Sequence, residues 1–327
     1  MKICLALFLS FLCIQQNLFA QNDDVGDKEI YQLFDVSLEN LLNVGIVSAS
    51  KKKQSVLDAP ASAYVVTKEQ IKQRAYDNLV DLLEDIPEIE IQKNSSNFSK
   101  NIITVRGVSG NEKLLILLNG IRITPTTGDF YAFGTQFSLV NAERVEVVLG
   151  PASALYGVDA FSGIVNIITQ SQGEKKNKVV NVATSYGQYN TFNNSIYTSV
   201  KADKIHLSLA GSWYQSDEPD YHNLYKDEFR WYNQQYNPNG FVLESPFFQQ
   251  IREVDDYADT TYTREFEMPT KSYFLNGEVT YNDFTVGYIR LAESHSSATG
   301  TDPKYTIRSG DALIDMFQEV LYGKYKY

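Results

Sequence analysis

Histidines and clustered carboxylates are the side chains of this sequence that could bind a metal or move a proton. The three histidines and the carboxylates that lie beside the second of them are His206, His222, His295, Asp217, Glu218 and Asp220. Imidazole and carboxylate groups are ordinary metal ligands, so a site that combines them is one interpretation. The first histidine, however, falls on the polar side of an alternating segment, and the other two fall in predicted outer loops. The pattern therefore favours solvated residues and predicts no metal site.

A second arrangement, in which an arginine lies between two glutamates, could be interpreted as a site for general acid–base catalysis. Catalysis often uses two carboxyl groups, and Glu143, Arg144 and Glu146 are close in sequence. On a strand, residues 144 and 146 lie on the same side, which favours a structural Arg–Glu pair. The chain has no nucleophile elbow, P-loop or zinc-binding motif. We therefore predict that the protein is not an enzyme and uses no catalytic residue, metal or cofactor.

The composition excludes further classes of protein. The 327 residues are 43% hydrophobic and 13% aromatic, too apolar for disorder throughout. The net charge is −11 and the only basic block is Lys51–Lys53, whereas nucleic acid binding needs clustered cations. Nucleic acid is therefore excluded as a partner. After the first part of the chain the longest aliphatic run is Leu114–Leu118, far short of the ~20 apolar residues of a membrane-spanning helix.

The start of the chain, residues 1–20, predicts a cleaved export signal. After a positively charged start, Ile3–Ile14 is an apolar run, and Ala20 is the small residue expected before a cleavage point. A buried N-terminal helix and a lipid anchor at Cys13 are the alternatives. Both cysteines, Cys4 and Cys13, lie in this segment, so the mature chain would contain neither disulfides nor thiolate metal sites.

Residues 51–172 are predicted to form a compact mixed α/β domain. Thr67 and Gln70 fit a capping box that opens one helix. An apolar stripe at i, i+3, i+4 and i+7 runs from Leu79 to Ile86 and marks a second helix, which Pro87 ends. The predicted strands cover residues 63–66, 101–106, 114–118, 121–123, 144–149 and 164–169.

Residues 178–294 alternate in the manner of long antiparallel strands. Five segments each carry a mostly apolar face and a small or polar face; they are residues 180–186, 192–200, 205–213, 273–281 and 284–288. Such segments, with aromatic residues near their ends, are typical of a transmembrane β-barrel. A soluble β-sandwich also alternates, but the strand length and the polar second face favour the barrel. A tight turn at 189–190 joins the first two strands. If the first strand runs outward, the short turns at 201–204 and 282–283 are periplasmic and the long connection at 216–270 is an outer loop.

The order of these features resembles that of the TonB-dependent outer-membrane receptors, with residues 36–172 similar to the plug domain. The strongest block is Ala142–Gly157 with its continuation Ala160–Thr169. Ile103–Gly107 resembles the Arg-Gly motif of the plug, and Leu115–Ile123 resembles the strand, turn and strand that follow it. A match of this length has a low risk of arising by chance.

The resemblance implies a set of structural plug residues and two departures from the family pattern. The residues are Arg106, Gly107, Asn119, Gly120, Arg144, Glu146, Gly150, Pro151, Tyr156, Gly157 and Gly163. Leu149 stands where many members have an arginine of a plug–barrel charge cluster, so Arg106, Arg144 and Glu146 would have one partner fewer. Asn119 stands where aspartate is frequent, although both suit the turn.

The resemblance also implies an energised import mechanism. Its TonB-box-like coupling segment is Val44, Gly45, Ile46, Val47, Ser48, Ala49 and Ser50; composition alone would favour a linker. Ligand would bind outside, and the segment would then pair in the periplasm, as an added strand, with the energy-transducing TonB complex. We therefore expect an extended, loosely held and exposed segment.

The ligand-binding surface implied by the resemblance is the plug apex. Its residues are Thr126, Thr127, Asp129, Phe130, Tyr131 and Phe133, with Ser95–Lys100 as a second candidate loop. An iron–siderophore chelate is the expected ligand, while cobalamin, haem and oligosaccharide remain open. A binding or sensing protein without transport is a second class of function. A secreted hydrolase would need a catalytic constellation that the sequence lacks.

The resulting fold class is an α+β plug domain followed by an antiparallel transmembrane β-barrel, incomplete in this chain, with about five strands. The expected organisation is a signal peptide at 1–20, an extension at 21–50, the plug at 51–172 and barrel strands at 173–327. The tail to Tyr327 reads as an outer loop. Related receptors use about 22 strands, so we expect this chain to be the N-terminal part of a longer receptor. It would lie in the outer membrane in contact with lipid, a small-molecule ligand and TonB.

Overall fold

The computed structural model describes residues 45–46, 48, 54–55, 62–96, 98–128, 130–157, 159–170, 178–226, 236–237, 240–241, 266–297, 310 and 313–325. The predicted signal peptide, Asp129 and four residues of the coupling segment (Val44, Val47, Ala49 and Ser50) lie outside these ranges. Within them, no helix combines the length and apolarity needed to cross a membrane.

The first part of the chain is built from short strands and helices. Its strands are β1 (Gly45–Ile46), β2 (Gln54–Ser55), β3 (Ser62–Thr67), β4 (Ile89–Ser96), β5 (Lys100–Val105), β6 (Val108–Ser109), β7 (Leu114–Leu118), β8 (Ile121–Arg122), β9 (Ala142–Leu149) and β10 (Gly163–Thr169). Its helices are α1 (Lys68–Gln73), α2 (Leu79–Glu84) and α3 (Ser153–Tyr156), with a 3₁₀ turn at Asn111–Lys113.

Local sequence signals explain both of the predicted helices. At α1 the Thr67 hydroxyl accepts from the Gln70 backbone and the Gln70 side chain accepts from the Thr67 backbone, which completes the predicted capping box. At α2 the cap is Asn78, whose side chain accepts from the amides of Val80 and Asp81. The apolar stripe of α2 is buried as predicted, because these residues pack into the main hydrophobic core.

A five-stranded sheet with the order β3-β9-β10-β7-β8 forms the centre of this domain. β10 pairs parallel to β7 and antiparallel to β9, and β3 pairs antiparallel to β9. One face packs on α1, α2 and a separate sheet, β4-β5-β6, around a core that includes Leu79, Leu82, Leu83, Val147 and Leu149. The opposite face buries Leu115, Leu117, Ala160 and Ile164.

The second part of the chain is a six-stranded antiparallel sheet with the order β11-β12-β13-β16-β17-β18. Its strands are β11 (Lys178–Gly187), β12 (Thr191–Ala202), β13 (Ile205–Ser216), β16 (Thr270–Tyr281), β17 (Phe284–Ser296) and β18 (Leu313–Tyr325). A short helix α4 (Tyr221–Leu224) and the two-residue strands β14 (Tyr236–Asn237) and β15 (Gly240–Phe241) lie between β13 and β16. In the described part of the chain, β11 and β18 each pair on one side, so the sheet is open.

The two faces of this sheet differ as the alternating sequence predicts. Along β16, Ser272, Asn276 and Glu278 are buried, whereas Tyr273 and Val279 are about half exposed. The buried face is largely polar and contacts the plug, and the exposed face is largely apolar. An apolar outer face with a polar inner face is the reverse of a soluble protein and the usual arrangement of a barrel wall in lipid.

The expectation that the tail is an outer loop is wrong, because Leu313–Tyr325 forms β18 against β17. The signal was weak for a physical reason. The inward side of this strand carries Ile314 and Val320, and the outward side carries Phe317 together with Glu319. Apolar residues therefore occur on both sides, and the period-two contrast that identified the other strands is missing.

Candidate functional site

The described residues of the predicted coupling segment, Gly45, Ile46 and Ser48, are held more firmly than the sequence indicates. Gly45 and Ile46 pair antiparallel with Ser55 and Gln54. Ser48 is only 1% exposed. Its backbone N–H and its hydroxyl both donate to Oε2 of Glu146, at 2.9 and 2.6 Å. The expectation of an exposed segment is therefore wrong at Ser48, which is anchored on the face of the plug sheet that carries Glu146.

Glu146 is a fully buried carboxylate with partners on both oxygens. While Oε2 accepts from Ser48, Oε1 accepts from Nε and Nη2 of Arg144 at 2.9 and 2.8 Å. The residues at 144 and 146 therefore share a side of β9 and form the structural ion pair that the sequence predicts. Burial of an ionised carboxylate is tolerated only when it is paired and hydrogen-bonded, which makes Ser48 part of the support for Glu146.

Asn166, on β10, connects the coupling segment to the tip of the β7–β8 hairpin. Its Nδ2 donates to Oγ of Ser48 at 3.0 Å, and its Oδ1 accepts from the N–H of Gly120 at 3.0 Å. The tip residues Asn119 and Gly120 have φ values of 51° and 76°, the left-handed pair that a two-residue hairpin requires. The side chain of Asn166 thus forms hydrogen bonds to both the coupling segment and the hairpin tip.

The hairpin tip continues this series of hydrogen bonds to the six-stranded sheet. Nδ2 of Asn119 donates to Oε1 of Glu278 on β16 at 3.0 Å and to Oγ1 of Thr169 at 2.8 Å. Nζ of Lys324 on β18 donates to the backbone oxygen of Asn119 at 2.7 Å, and the Tyr322 hydroxyl donates to Glu278 at 2.5 Å. Polar contacts therefore run from the sheet through the plug to Ser48.

Arg106 lies apart from this cluster, so the implied grouping of Arg106 with Arg144 and Glu146 is corrected. Its guanidinium bonds Glu88 and Ser62 on a partly exposed surface. That hydrogen bond from Arg106, followed by one from the Tyr64 hydroxyl, lowers the pKa of the Glu88 carboxyl. Leu149 is fully buried in the apolar core, and an apolar side chain is what this environment accepts.

The remaining motif residues shape the backbone around the sheet. Gly107, Gly150 and Gly157 take positive φ, Pro151 is exposed, and Tyr156 is partly buried beside the second face of the sheet. Gly163 fills a different requirement, because a Cβ at this position would lie 2.6 Å from the backbone oxygen of Val148. The backbones of β9 and β10 approach too closely there for any other residue.

The predicted ligand surface divides into an exposed part and a buried part. Phe130 is 69% exposed and stacks on the exposed ring of Phe98, with centroids 6.5 Å apart, and Thr126 and Thr127 are also exposed. The expectation is wrong for two residues, because Tyr131 and Phe133 are buried. Their rings pack against Phe137 at 6.2 and 5.4 Å. An aromatic residue in a loop can either contact a ligand or pack in the core, and the sequence does not distinguish the two. Tyr131 and Phe133 pack in the core and stabilise the loop.

A cavity of about 350 Å³ adjoins Phe130, between the plug loop and strands β17 and β18. Its lining from the sheet includes Leu291 on β17 and Met316 and Gln318 on β18. Sequence reasoning missed the β18 part of this lining, because that strand was assigned to a loop. Residues of the plug apex and of the sheet therefore line the same cavity.

The structure also places the basic and imidazole side chains of this region. Lys100, from the second candidate loop, is buried, with Nζ 2.6 Å from Oγ1 of Thr270 and 3.3 Å from Oε1 of Glu218. The predicted loop position of His295 is wrong: it is buried in β17, with Nδ1 2.7 Å from Oε2 of Glu293.

The other two histidines lie in different elements. Nε2 of His206 lies 2.8 Å from Oγ of Ser199 on the inner side of the sheet, and His222 lies in α4. Among the described residues, no group of three or more His, Cys, Asp or Glu side chains could hold a metal ion.

The comparison with known families decides what this arrangement is. Residues 55–164 match the family described as TonB-dependent Receptor Plug Domain. The chain contains a TonB-dependent receptor plug domain. Its curated relatives include an outer membrane protein, which places the chain in the cell outer membrane, and the solved structures show that the six-stranded sheet is part of a barrel wall.

Two curated proteins illustrate the relatives of this receptor. The vitamin B12 transporter BtuB of Vibrio vulnificus is 30% identical over 175 residues, which cover 53% of this chain and 28% of that transporter. The iron-regulated outer membrane virulence protein of Vibrio cholerae is 29% identical over 194 residues, which cover 56% of this chain and 29% of that protein. The chain thus spans less than a third of the length of these relatives.

Solved structures show the same fold. FpvA of P. aeruginosa, bound to iron and a pyoverdine, aligns with a TM-score of 0.56 at 16% identity, covering 85% of this chain and 33% of FpvA. The siderophore receptor PiuA from Acinetobacter baumannii aligns with a TM-score of 0.50 at 18% identity, covering 79% of this chain and 30% of PiuA. At these identities the likeness concerns the fold alone.

Proposed function

We propose that this receptor imports a scarce chelated nutrient across the outer membrane, driven by the TonB complex acting on residues 44–50. An iron–siderophore chelate is the substrate that we favour. An iron-regulated relative and a neighbouring structure with a pyoverdine and iron support this choice. Cobalamin is the second candidate, because a vitamin B12 transporter is among the relatives.

The observation that carries the proposal is the position of Ser48. The segment around it is extended where β1 pairs with β2, and extended backbone is what strand addition to a partner requires. The same segment is bonded to Glu146 on β9 and to Asn166 on β10. A pull on residues 44–50 would therefore act directly on β10, the central strand of the plug sheet, and on its neighbour β9.

The proposal assigns a role to each part of the chain. Residues 1–20 would be a cleaved export signal and residues 21–50 a periplasmic extension. Residues 51–172 would be the plug, and residues 173–327 would contribute to the barrel wall in contact with lipid. Ligand would meet the exposed apex around Phe130, and import would need no covalent chemistry.

Deletion of Val44–Ser50 tests the proposal in cells whose uptake of the labelled chelate depends on the receptor carrying this chain. We expect energised uptake to be lost while chelate affinity stays within about threefold, a change below ~0.7 kcal/mol. Deletion of residues 24–30, an equal length of the same extension, is the matched control and should leave uptake unchanged.

The outcomes separate import from the alternative of a binding or sensing protein. Uptake that survives the deletion of residues 44–50 would place the coupling segment elsewhere. Binding by the undeleted receptor without energised uptake would contradict import and favour a receptor that does not transport. A parallel measurement with cyanocobalamin distinguishes the two substrate candidates.

A further inference from the structure

The outward face of the six-stranded sheet carries an ion pair. Nη1 of Arg290 on β17 lies 2.9 Å from Oε1 of Glu319 on β18, and the two residues are directly opposite each other in the register. Their side chains are 49% and 42% exposed. The Tyr288 hydroxyl donates to the same Oε1 at 2.6 Å, and Cζ of Arg290 lies 5.8 Å from the ring centroid of Phe317. Two charged side chains therefore belong to a surface that is otherwise largely apolar.

Two rows of exposed aromatic side chains define the depth of this ion pair in the wall. One row is Trp213, Tyr273 and Phe317, and the other is Tyr281, Phe284 and Tyr325. Aromatic girdles of this kind border the apolar band of a membrane barrel. On β17, Arg290 is two positions from Ala292, which pairs with Tyr273 and Phe317, and six positions from Phe284. The ion pair thus lies within the apolar band, where charged side chains that face lipid destabilise a barrel.

The ion pair uses only part of its hydrogen-bonding capacity. Both bonds to Glu319 end on Oε1, and Arg290 donates through Nη1. Among the residues that the structure describes, Oε2 of Glu319 has no donor, and Nε and Nη2 of Arg290 have no acceptor. Lipid tails supply neither donors nor acceptors. Free donors and a free acceptor therefore lie side by side on a surface that lipid cannot satisfy.

We propose that the surface formed by Tyr288, Arg290, Phe317 and Glu319 is a contact between two copies of the receptor in the membrane. Two copies inserted in the same direction are related by a two-fold axis along the membrane normal, which preserves depth and exchanges left and right. An axis between β17 and β18 places Arg290 opposite the partner's Glu319 and Glu319 opposite the partner's Arg290. The free guanidinium donors of each copy then meet the free carboxylate oxygen of the other.

The neighbouring carboxylate favours a second copy over an anionic lipid headgroup. A phosphate is the other group that an arginine on a membrane protein commonly binds. Here Glu319 neutralises Arg290 at 2.9 Å and would repel a phosphate. A second copy instead brings one positive and one negative group, as this surface requires. The inference does not depend on import, because it needs only the position of the wall in the membrane.

Energy transfer between donor-labelled and acceptor-labelled copies of the full receptor that carries this chain tests the inference. The receptor is reconstituted at low density in vesicles of phosphatidylcholine, with and without phosphatidylglycerol. We expect transfer above that measured between the receptor and an unrelated barrel in both lipids. Arg290→Leu with Glu319→Leu should weaken self-association at least tenfold, and heat-modifiable gel mobility shows that the barrel still folds. Arg290→Glu with Glu319→Arg exchanges the charges and should retain self-association.

Arg74→Leu with Asp85→Leu is the matched control. It removes an ion pair of similar exposure, 60% and 49%, from the plug and should leave the transfer unchanged. Transfer of the wild type at the level of the unrelated barrel would overturn the inference. Equal transfer by the double leucine variant, or loss of transfer in the charge-exchange variant, would overturn it as well.

The variant Glu319→Leu separates a second copy from a lipid headgroup. A bridging phosphate needs Arg290 alone, whereas reciprocal pairing needs both side chains. Self-association should therefore weaken in Glu319→Leu, in either lipid. Transfer that requires phosphatidylglycerol and survives Glu319→Leu would overturn direct pairing and assign the surface to anionic lipid.

Discussion

The carboxamide of Asn119 on the plug donates to the buried carboxylate of Glu278 on β16, with Nδ2 and Oε1 3.0 Å apart. The same Nδ2 donates to Thr169, and Oδ1 accepts from the amide of Thr169 at 2.9 Å. An aspartate could adopt the same turn, because both residues tolerate left-handed backbone, but it has no N–H to donate. The asparagine therefore matches an acidic partner on the barrel wall.

Asn119→Asp should weaken the plug and its contact with the sheet, because it replaces a donor to Glu278 with a second carboxylate. Glu278 keeps the hydroxyl of Tyr322 as a donor but loses its amide donor and faces a like charge, and the loss of a buried hydrogen bond to a charged group costs about 1–3 kcal/mol. Thermal unfolding of the full chain measures the loss. Glu278→Gln in the Asn119→Asp background should recover most of it, since the added amide can donate; additive losses in this double-mutant cycle would show that the two side chains are not coupled.

Ser48→Ala should release the coupling segment. The substitution removes the hydroxyl that donates to Glu146 and accepts from Asn166, while the backbone bond to Glu146 remains. We expect faster limited proteolysis near residue 48 without a change in secondary structure. Ser109→Ala, at an exposed serine, is the control. Equal proteolysis rates in the two variants would mean that the Ser48 hydroxyl does not hold the segment.

Arg144→Met and Arg106→Met should have very different effects on stability, although both arginines belong to the motif set. The first leaves a buried Glu146 without its counter-charge, a change that costs about 3 kcal/mol or more. The second removes an ion pair whose side chains are 45% and 25% exposed, and such surface pairs contribute little to stability because water screens them. Denaturant unfolding of both variants checks the order, and a larger loss for Arg106→Met would contradict it.

Arg106→Met should also change the response to acid. Arg106 lowers the pKa of Glu88 from its ordinary value of 4.5, so this carboxylate stabilises the fold above that value. The contribution is lost as the pH falls through the lowered pKa. The variant lacks the part of this contribution that Arg106 provides, so its stability should fall less than that of the wild type between neutral and acidic pH, which unfolding midpoints measured across that range would reveal. Parallel pH profiles would exclude this role for Arg106.

Gly163→Ala should destabilise the plug by several times as much as Gly187→Ala. A Cβ at 163 would meet the backbone oxygen of Val148 at 2.6 Å, so two paired strands must separate. At Gly187 the nearest atom is the Thr191 Cβ at 3.8 Å, an ordinary contact. Overpacking of this kind typically costs about 1–3 kcal/mol. Equal melting temperatures for the two variants would show that β9 and β10 can move apart at residue 163 without loss of stability.

Local signals in the sequence predicted the elements whose geometry depends on adjacent residues. The Thr67 capping box, the stripe of α2 and the Asn119-Gly120 turn are such cases, and each appears in the structure as predicted. β4 was missed, because after Ile89 and Ile91 its sequence turns to asparagine and serine. The parallel pairing of β7 with β10 could not be predicted from local sequence, because nothing in the sequence of either strand specifies which strand it pairs with.

The candidate site was less predictable, because burial there depends on distant residues. Small side chains around Ser48 indicated a loose segment, yet Glu146 lies 98 positions away and anchors it. Phe133 and Phe130 are three positions apart in one loop, and only the first turns into the core. Residue type identified this loop as aromatic, but which ring faces solvent is set by packing on Phe137 and on the sheet.

The central position of β10 in the plug sheet has a consequence for the order in which the domain can form. In the plug sheet, β3 pairs only with β9, and the parallel partner of β7 is β10. Because β10 is the last of these strands to be synthesised, the sheet cannot be completed before β10 is available. Pairings between distant segments form slowly, because chain entropy is lost before the contacts are made. During export, Leu114–Leu118 could form its local hairpin with β8, but its other edge would lack β10 for a long time, and apolar strands with an open edge aggregate. We therefore expect the nascent receptor to depend on chaperones that keep it unfolded until the whole plug has been delivered.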